Sequence, residues 1–205
     1  MATDVSGSLE ARIVTAGLRA LGRYCPAELT VRRVAEFAGT STMGIYSRFG
    51  GRGGMLAAIY RRGFEMLREH LVGAVPDPEA DPSECILALA RAYRAFALPN
   101  PALYALMFER PLADFEPTHQ QRSEAIGMTF GLLTDQVARA IRQGTVAGED
   151  PVLSAYLVWT AVHGLVSIEL THALRNPLPG WILASPEAGE RALELGVRAI
   201  LAGLR

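Results

Sequence analysis

"LTVRRVAEFAGTSTMGIYSRFGGRGGMLAAIYRRGF", Leu29 to Phe64, decides the fold. Thr30 stands at an N-cap position ahead of Val31, Val34, Ala35 and Ala38, which share one helical face. Arg33 takes the place where a capping box carries Glu. Gly39 breaks this short helix, and Ser41 caps another that carries Ile45, Tyr46 and Phe49. Two short helices joined by a glycine-containing turn, after a longer helix, have helix-turn-helix spacing. Val34, Ala35, Ile45 and Phe49 can pack the pair together, with Ala35 small because the helices cross closely. The second helix is then left presenting Thr40, Ser41, Thr42, Met43, Tyr46, Ser47 and Arg48. Hydroxyls, a methyl-bearing chain, an aromatic ring and a guanidinium suit phosphates and base edges in a major groove.

The run "RFGGRGGML", Arg48 to Leu56, follows directly. It carries no third glycine in register and no Lys-Ser/Thr, and no strand precedes it, so it is not a nucleotide-binding fingerprint. It occurs once, between two packed segments, which separates it from repeated Arg-Gly-Gly tails. Gly50 and Gly51 are expected to make the joint to the next helix. Gly53 and Gly54 weaken the first turn of that helix.

Outward from this stretch the pattern is helical almost everywhere, and no strand alternation or repeat is visible. Residues 8–23 read as the first helix. Met55, Ile59, Gly63, Met66 and Leu67 support a longer fourth helix fading near Gly73. "VPDPEADP", Val75 to Pro82, is a turn-rich linker and the clearest compositional boundary. Beyond it come a helix carrying Ile86 to Phe96, a short one over Ala102–Glu109 and a long one carrying Ile126 to Ile141. A helix opened by Pro151 is expected to run to about Arg175, and "NPLPGW" is a loop. A last helix over 186–204 brings the total to about nine.

The chain has 205 residues and a net charge of −1, carried unevenly. All twenty basic residues are Arg, a pattern attributable to genome composition. Residues 1–71 hold ten Arg against six acids, an excess of four positive charges that hints at a polyanion-facing end. The best apolar run, Ala155 to Leu170, is interrupted by His163 and Glu169, so no membrane span is expected. "MATDVSGSLEAR" has no signal-peptide pattern, and Cys25 and Cys85 form no CxxC, which fits a cytoplasmic protein.

The quoted stretch resembles the DNA-binding region of the TetR family, the tetracycline-repressor-like regulators. Thr30, Val34-Ala35, Ala38-Gly39, Ser41, Ile45-Tyr46, Phe49, Arg52 and Leu56 carry the resemblance, which covers roughly residues 8–60. "VWTAVHGLVSIEL", Val158 to Leu170, is similar to the family's C-terminal domain type marked by Trp, His and Gly, here Trp159, His163 and Gly164. Gly44, Arg48, Gly53 and Gly54 depart from the usual pattern, so operator preference does not transfer. The resemblance implies an all-α fold. An N-terminal three-helix DNA-binding domain, residues 1–55, would precede a larger ligand-binding and dimerisation domain, residues 56–205. It implies a dimeric regulator of double-stranded DNA, a repressor released by a small-molecule effector, with a near-palindromic operator. Thr30 would contact a phosphate and Arg32 would approach DNA from the first short helix. Thr42, Met43 and Gly44 would lie nearest base edges, with Tyr46 and Arg48 on the flanking backbone, Arg52 on a further phosphate and Ser41 and Ser47 as further DNA-binding residues.

Other classes weigh less. Glu-x-x-His occurs twice, at Glu116–His119 and Glu169–His172, a spacing used in di-iron bundles. The first copy contains Pro117 and falls in a loop, and no HExxH or Cys/His cluster is present, so neither metal nor other cofactor is expected. No nucleophile motif accompanies His163, so no catalytic residue is assigned and an enzyme is not expected. The alternative is a helical small-molecule-binding protein whose helix-turn-helix is only structural. Phe64, Tyr93, Phe96, Tyr104, Met107, Phe108, Met128, Trp159 and His163, with Phe130, are large apolar or amphipathic residues that core packing alone would explain. The resemblance makes them candidates for an effector cavity, with Tyr93, Tyr104 and His163 as its polar groups. Ala188, Ala192, Gly196, Ala199 and Gly203 line one side of the last helix, and the resemblance implies a dimer through the last two helices.

Overall fold

The computed structural model describes residues 8–75, 77, 80–109, 112, 114–173 and 185–204. Among these there are nine α-helices and no strand: α1 (Leu9–Leu21), α2 (Val31–Ala38), α3 (Thr42–Phe49), α4 (Arg52–Ala74), α5 (Pro82–Ala97), α6 (Pro101–Phe108), α7 (His119–Arg142), α8 (Pro151–Ile168) and α9 (Pro186–Gly203). The all-α expectation holds. The helix ends follow local chemistry. Ser8, Thr30, Ser41, Asp81, Asp150 and Ser185 each accept a backbone N–H from the first turn they precede. Pro82, Pro101, Pro151 and Pro186 occupy first-turn positions where no N–H is needed.

One boundary differs from the periodicity. The α-helix opened by Pro151 ends at Ile168 and continues as a π turn over Glu169–Ala173. A 3.6-residue pattern does not register one extra residue in a turn. The "NPLPGW" loop lies outside the described residues, as do three positions of "VPDPEADP".

The chain divides into two compact units. Residues 1–66 and 100–125 form one, and residues 67–99 and 126–205 form the other. In the first unit α1 packs on α2, and α2 on α3. Ile13, Ala16 and Ala20 of α1, Val34 and Ala35 of α2, Ile45 of α3 and Met55, Leu56 and Ile59 of α4 are buried. α6 belongs here as well. Met107 and Leu103 approach Gly63 of α4 so closely that a Cβ would sit 2.8 Å from the Met107 sulfur.

In the second unit α5, α8 and α9 pack on one another. α5 is buried almost throughout, with Ile86, Leu87, Leu89, Ala90 and Ala97 in the core. α8 buries Ser154, Ala155, Val158, Val162 and Val166 along one stripe, and α9 buries Leu193, Val197 and Leu201.

Pro151–Thr171 is long and apolar enough to cross a membrane by length and composition, with a mean hydropathy of 1.5. His163 and Glu169 are too few to lower the average of so many Val, Leu and Ile residues. Both have protein partners: His163 bonds to Tyr93, and Glu169 is ion-paired within the unit.

Candidate nucleic-acid interface

The corner between α2 and α3 is held by backbone geometry and one distant arginine. Gly39 adopts φ +60°, and its amide and that of Thr40 return to carbonyls of the last turn of α2. Arg12 of α1 donates to the Ala38 carbonyl at 3.0 Å, satisfying a helix-end acceptor at the same corner. Thr30 Oγ1 accepts the Arg33 amide and Ser41 Oγ the Gly44 amide, each at 3.2 Å. Both residues are therefore caps, and both remain exposed.

With Ile45 wholly buried beneath it, α3 turns its other side outward. Ser41, Thr42, Met43, Tyr46, Ser47 and Arg48 are all exposed. Met43 is 71% and Tyr46 53% accessible, unusual for side chains with that much apolar area. Gly44 is only half-buried and sits close to Thr40; a Cβ there would lie 2.7 Å from the Thr40 hydroxyl. The exposed set can offer hydroxyl donors and acceptors, a thioether stem for a thymine methyl and a guanidinium for guanine or phosphate.

The arginines divide by role. Arg32 is exposed on α2 and pairs with Glu36 one turn on, at 3.1 Å, a contact that a phosphate can replace at little cost. Arg33, by contrast, is structural. Its guanidinium lies 4.0 Å from the centre of the Tyr24 ring and donates to the Glu28 carbonyl at 2.7 Å. The Thr30 amide, which a capping-box Glu would accept, donates instead to the Glu28 carbonyl at 2.9 Å. The Glu28 carboxyl is held below the usual range, first by its hydrogen bond with Cys25.

The glycine run is the joint between α3 and α4. Gly50 and Gly51 have φ of +70° and +135°, where L side chains are strained. A Cβ on Gly54 would collide with the Phe49 carbonyl, whereas Gly53 faces open space. Arg52, expected to reach a phosphate, has other partners here. Its Nε donates to the Leu29 carbonyl at 3.0 Å, and its outer nitrogen pairs with Asp114.

The effector candidates fall into separate groups. In the first unit Phe64, Tyr104 and Phe108 form a ring cluster, with centroids 5.2 and 4.9 Å from Phe108, and Met107 lies against Gly63. Phe64 and Tyr104 are buried core. In the second unit the Tyr93 hydroxyl lies 2.8 Å from His163 Nδ1, and Trp159 stacks on the His163 ring at 5.1 Å. Phe130 lies edge-on to Trp159. Burial pushes the His163 pKa down. Phe96 lies beside His70, and Met128 is half-buried on α7.

One functional-looking pair escapes sequence reasoning. Arg94 of α5 donates to both carboxylate oxygens of Glu169, at 2.8 and 2.5 Å, and to the Pro186 carbonyl at 2.9 Å. Arg94 is 8% and Glu169 6% accessible. The available signal was Glu169, a lone carboxylate at the end of an apolar stretch; α5 carries Glu84 and Arg91 besides Arg94, so its partner was not marked. Glu116, of the first Glu-x-x-His, pairs with Arg122 at 2.9 Å, and the side chain of His172 lies outside the described residues.

A capped, outward-facing second helix on a rigid corner, within an all-helical chain of two units, defines a helix-turn-helix protein. Residues 86–201, more than half the chain, match the model of the tetracycline repressor-like C-terminal domain. A helix-turn-helix-type transcriptional regulator of Mycobacterium tuberculosis is 25% identical, with 82% of each chain covered. Two solved structures share the fold. A protein of unknown function from Rhodococcus sp. RHA1 has a TM-score of 0.79 at 24% identity, covering 100% of this chain and 99% of that one. The fatty acid degradation regulator FadR from Bacillus halodurans has a TM-score of 0.74 at 14% identity, covering 98% and 99%. The chain belongs to the tetracycline repressor-like family of DNA-binding transcriptional regulators.

Proposed function

We propose that this regulator is a cytoplasmic repressor that binds a near-palindromic operator as a homodimer and is released by a small molecule. The observation that carries the reading is the exposed face of α3, where Met43 and Tyr46 stand in solvent over a fully buried Ile45. Thr42, Met43 and Gly44 read base edges in this scheme. Thr30, Arg32, Ser41, Tyr46, Ser47, Arg48 and Arg52 hold the backbone. Residues 1–55 form the reading domain, and residues 56–205 sense the effector and dimerise.

Support for dimerisation comes from α8 and α9. α8 leaves Val152, Leu153, Tyr156, Leu157 and Ile168 exposed, and α9 leaves Leu195 exposed. An apolar face of that extent marks an interaction surface. The small residues Ala188, Ala192, Gly196, Ala199 and Gly203 lie off the buried face of α9, where a partner helix can approach closely. The effector acts by population shift, binding better to the form whose two α3 helices are wrongly spaced. Tyr93 and His163 supply the polar contacts in the second unit, beside Trp159. No residue is assigned a catalytic role.

Selection from a random duplex pool tests this reading. The expected winner carries inverted half-sites about one helical turn apart, or a multiple of that. Its affinity should exceed that for a scrambled duplex by about a thousandfold or more. Absence of selective binding at low salt refutes it and leaves the purely structural helix-turn-helix.

A further inference from the structure

We infer that Asp114 competes with the DNA backbone for the guanidinium of Arg52, coupling the segment between α6 and α7 to the reading joint. The inference rests on the proposal that Arg52 holds a phosphate.

Arg52 opens α4, directly after the glycine joint. Its Nε is anchored on the Leu29 carbonyl, one residue ahead of the Thr30 cap. That bond fixes the base of the fork and leaves the outer nitrogens to choose a partner. In this structure the partner is the Asp114 carboxylate, 62 residues away in sequence. The two sides of the pair differ in environment. The Arg52 side chain is 23% accessible and that of Asp114 66%. The guanidinium is thus held in place, and the carboxylate can leave it.

Carboxylate and phosphodiester oxygens accept from the same edge of a guanidinium. The bond from Arg52 holds the Asp114 carboxyl below its usual range, so it is anionic wherever DNA binding is measured. A phosphate arriving at Arg52 meets an occupied donor and a like charge. Binding then requires exchange, and whatever moves the segment that carries Asp114 changes how available Arg52 is. That segment follows α6, whose Tyr104 and Phe108 pack with Phe64 of α4. An effector that disturbs this ring cluster has a short covalent path to the joint.

The test measures duplex binding by fluorescence anisotropy for the full-length protein and for Asp114→Asn, Asp114→Glu, Arg52→Ala and the Arg52→Ala/Asp114→Asn double variant. Each is titrated with the selected and a scrambled duplex at two salt concentrations. Asp114→Asn is expected to tighten both duplexes alike, by up to about fivefold, the range of an exposed ion pair. It should also steepen the salt dependence by up to about one phosphate contact per protomer. Asp114→Glu should behave as wild type. In the Arg52→Ala background, Asp114→Asn should change nothing. Unchanged or weakened binding by Asp114→Asn overturns the inference. So does equal tightening with and without Arg52, which would mean general charge repulsion. If Arg52→Ala itself leaves affinity unchanged, the phosphate role of Arg52 fails instead, and the two failures are told apart.

Discussion

Replacing Arg94 by methionine should destabilise the protein sharply. Arg94 makes three bonds inside the second unit, two to Glu169 and one to the Pro186 carbonyl. The hydrogen bonds to Glu169, with its charge, push the arginine pKa up. Arg94→Met removes all three and strands a carboxylate that is 6% accessible. Breaking a buried pair by removing one partner costs about 3–5 kcal/mol. For a chain of this size each kcal/mol lowers Tm by roughly 2–4 °C, so a drop of about 6–20 °C is expected.

Thermal unfolding by circular dichroism reads the loss. The double variant Arg94→Met/Glu169→Leu removes the charge instead of isolating it, and it should recover most of the lost Tm. Three outcomes would refute the reasoning. A single variant within about 2 °C of wild type would mean that the pair is solvated. A Glu169→Leu single variant as stable as wild type would mean that Arg94 does not depend on its carboxylate partner. A double variant as unstable as the single would mean that the Pro186 bond dominates.

Three further predictions follow from other sites. Gly54→Ala should destabilise, because its Cβ meets the Phe49 carbonyl. Gly53→Ala, facing open space, should stabilise by up to about 1 kcal/mol; chemical denaturation of the two variants side by side checks the contrast, and equal effects would contradict it. Leu157→Glu places a charge on the exposed apolar face of α8 and should yield monomers in sedimentation equilibrium; a dimer of unchanged affinity would exclude this face. His163 has a folded pKa below its unfolded value, so it takes up protons more readily when unfolded. Its contribution is complete above about pH 6.5 and is lost as pH falls below that value. His163→Gln, which keeps a polar partner for Tyr93, should flatten that part of the stability profile, and a profile as steep as wild type would count against it.

The helix-turn-helix was legible because its signals are local. Thr30, Ser41 and Gly39 act within one turn of where they stand, and Val34, Ala35 and Ile45 follow from helical spacing. Even Gly54 was visible as an anomaly, though the carbonyl it accommodates was not. What escaped were contacts between residues far apart in the chain. Asp114 follows Arg52 by 62 residues and Glu169 follows Arg94 by 75. Periodicity says that Phe64, Tyr104, Trp159 and His163 are on helices; it does not say which of them meet. The two ring clusters belong to different units, and the sequence offered them as one list.

The charge excess of the first 71 residues has a different meaning once each arginine is placed. Arg12 closes the α2–α3 corner, Arg33 joins Tyr24 to Glu28, and Arg52 is anchored on Leu29. Arg61 and Arg62 share Glu65 on α4. Arg19 and Arg23 lie within 6.0 Å of the Phe37 ring. Arg32 and Arg48 remain as the exposed guanidiniums of the α2–α3 pair. A lysine could not replace Arg33, because one ammonium does not stack on a ring while bonding a carbonyl in its plane. Much of the positive charge therefore builds the reading head and does not touch the operator. Its salt dependence should be shallow for so basic a segment, set by Arg32, Arg48 and whatever share of Arg52 Asp114 releases.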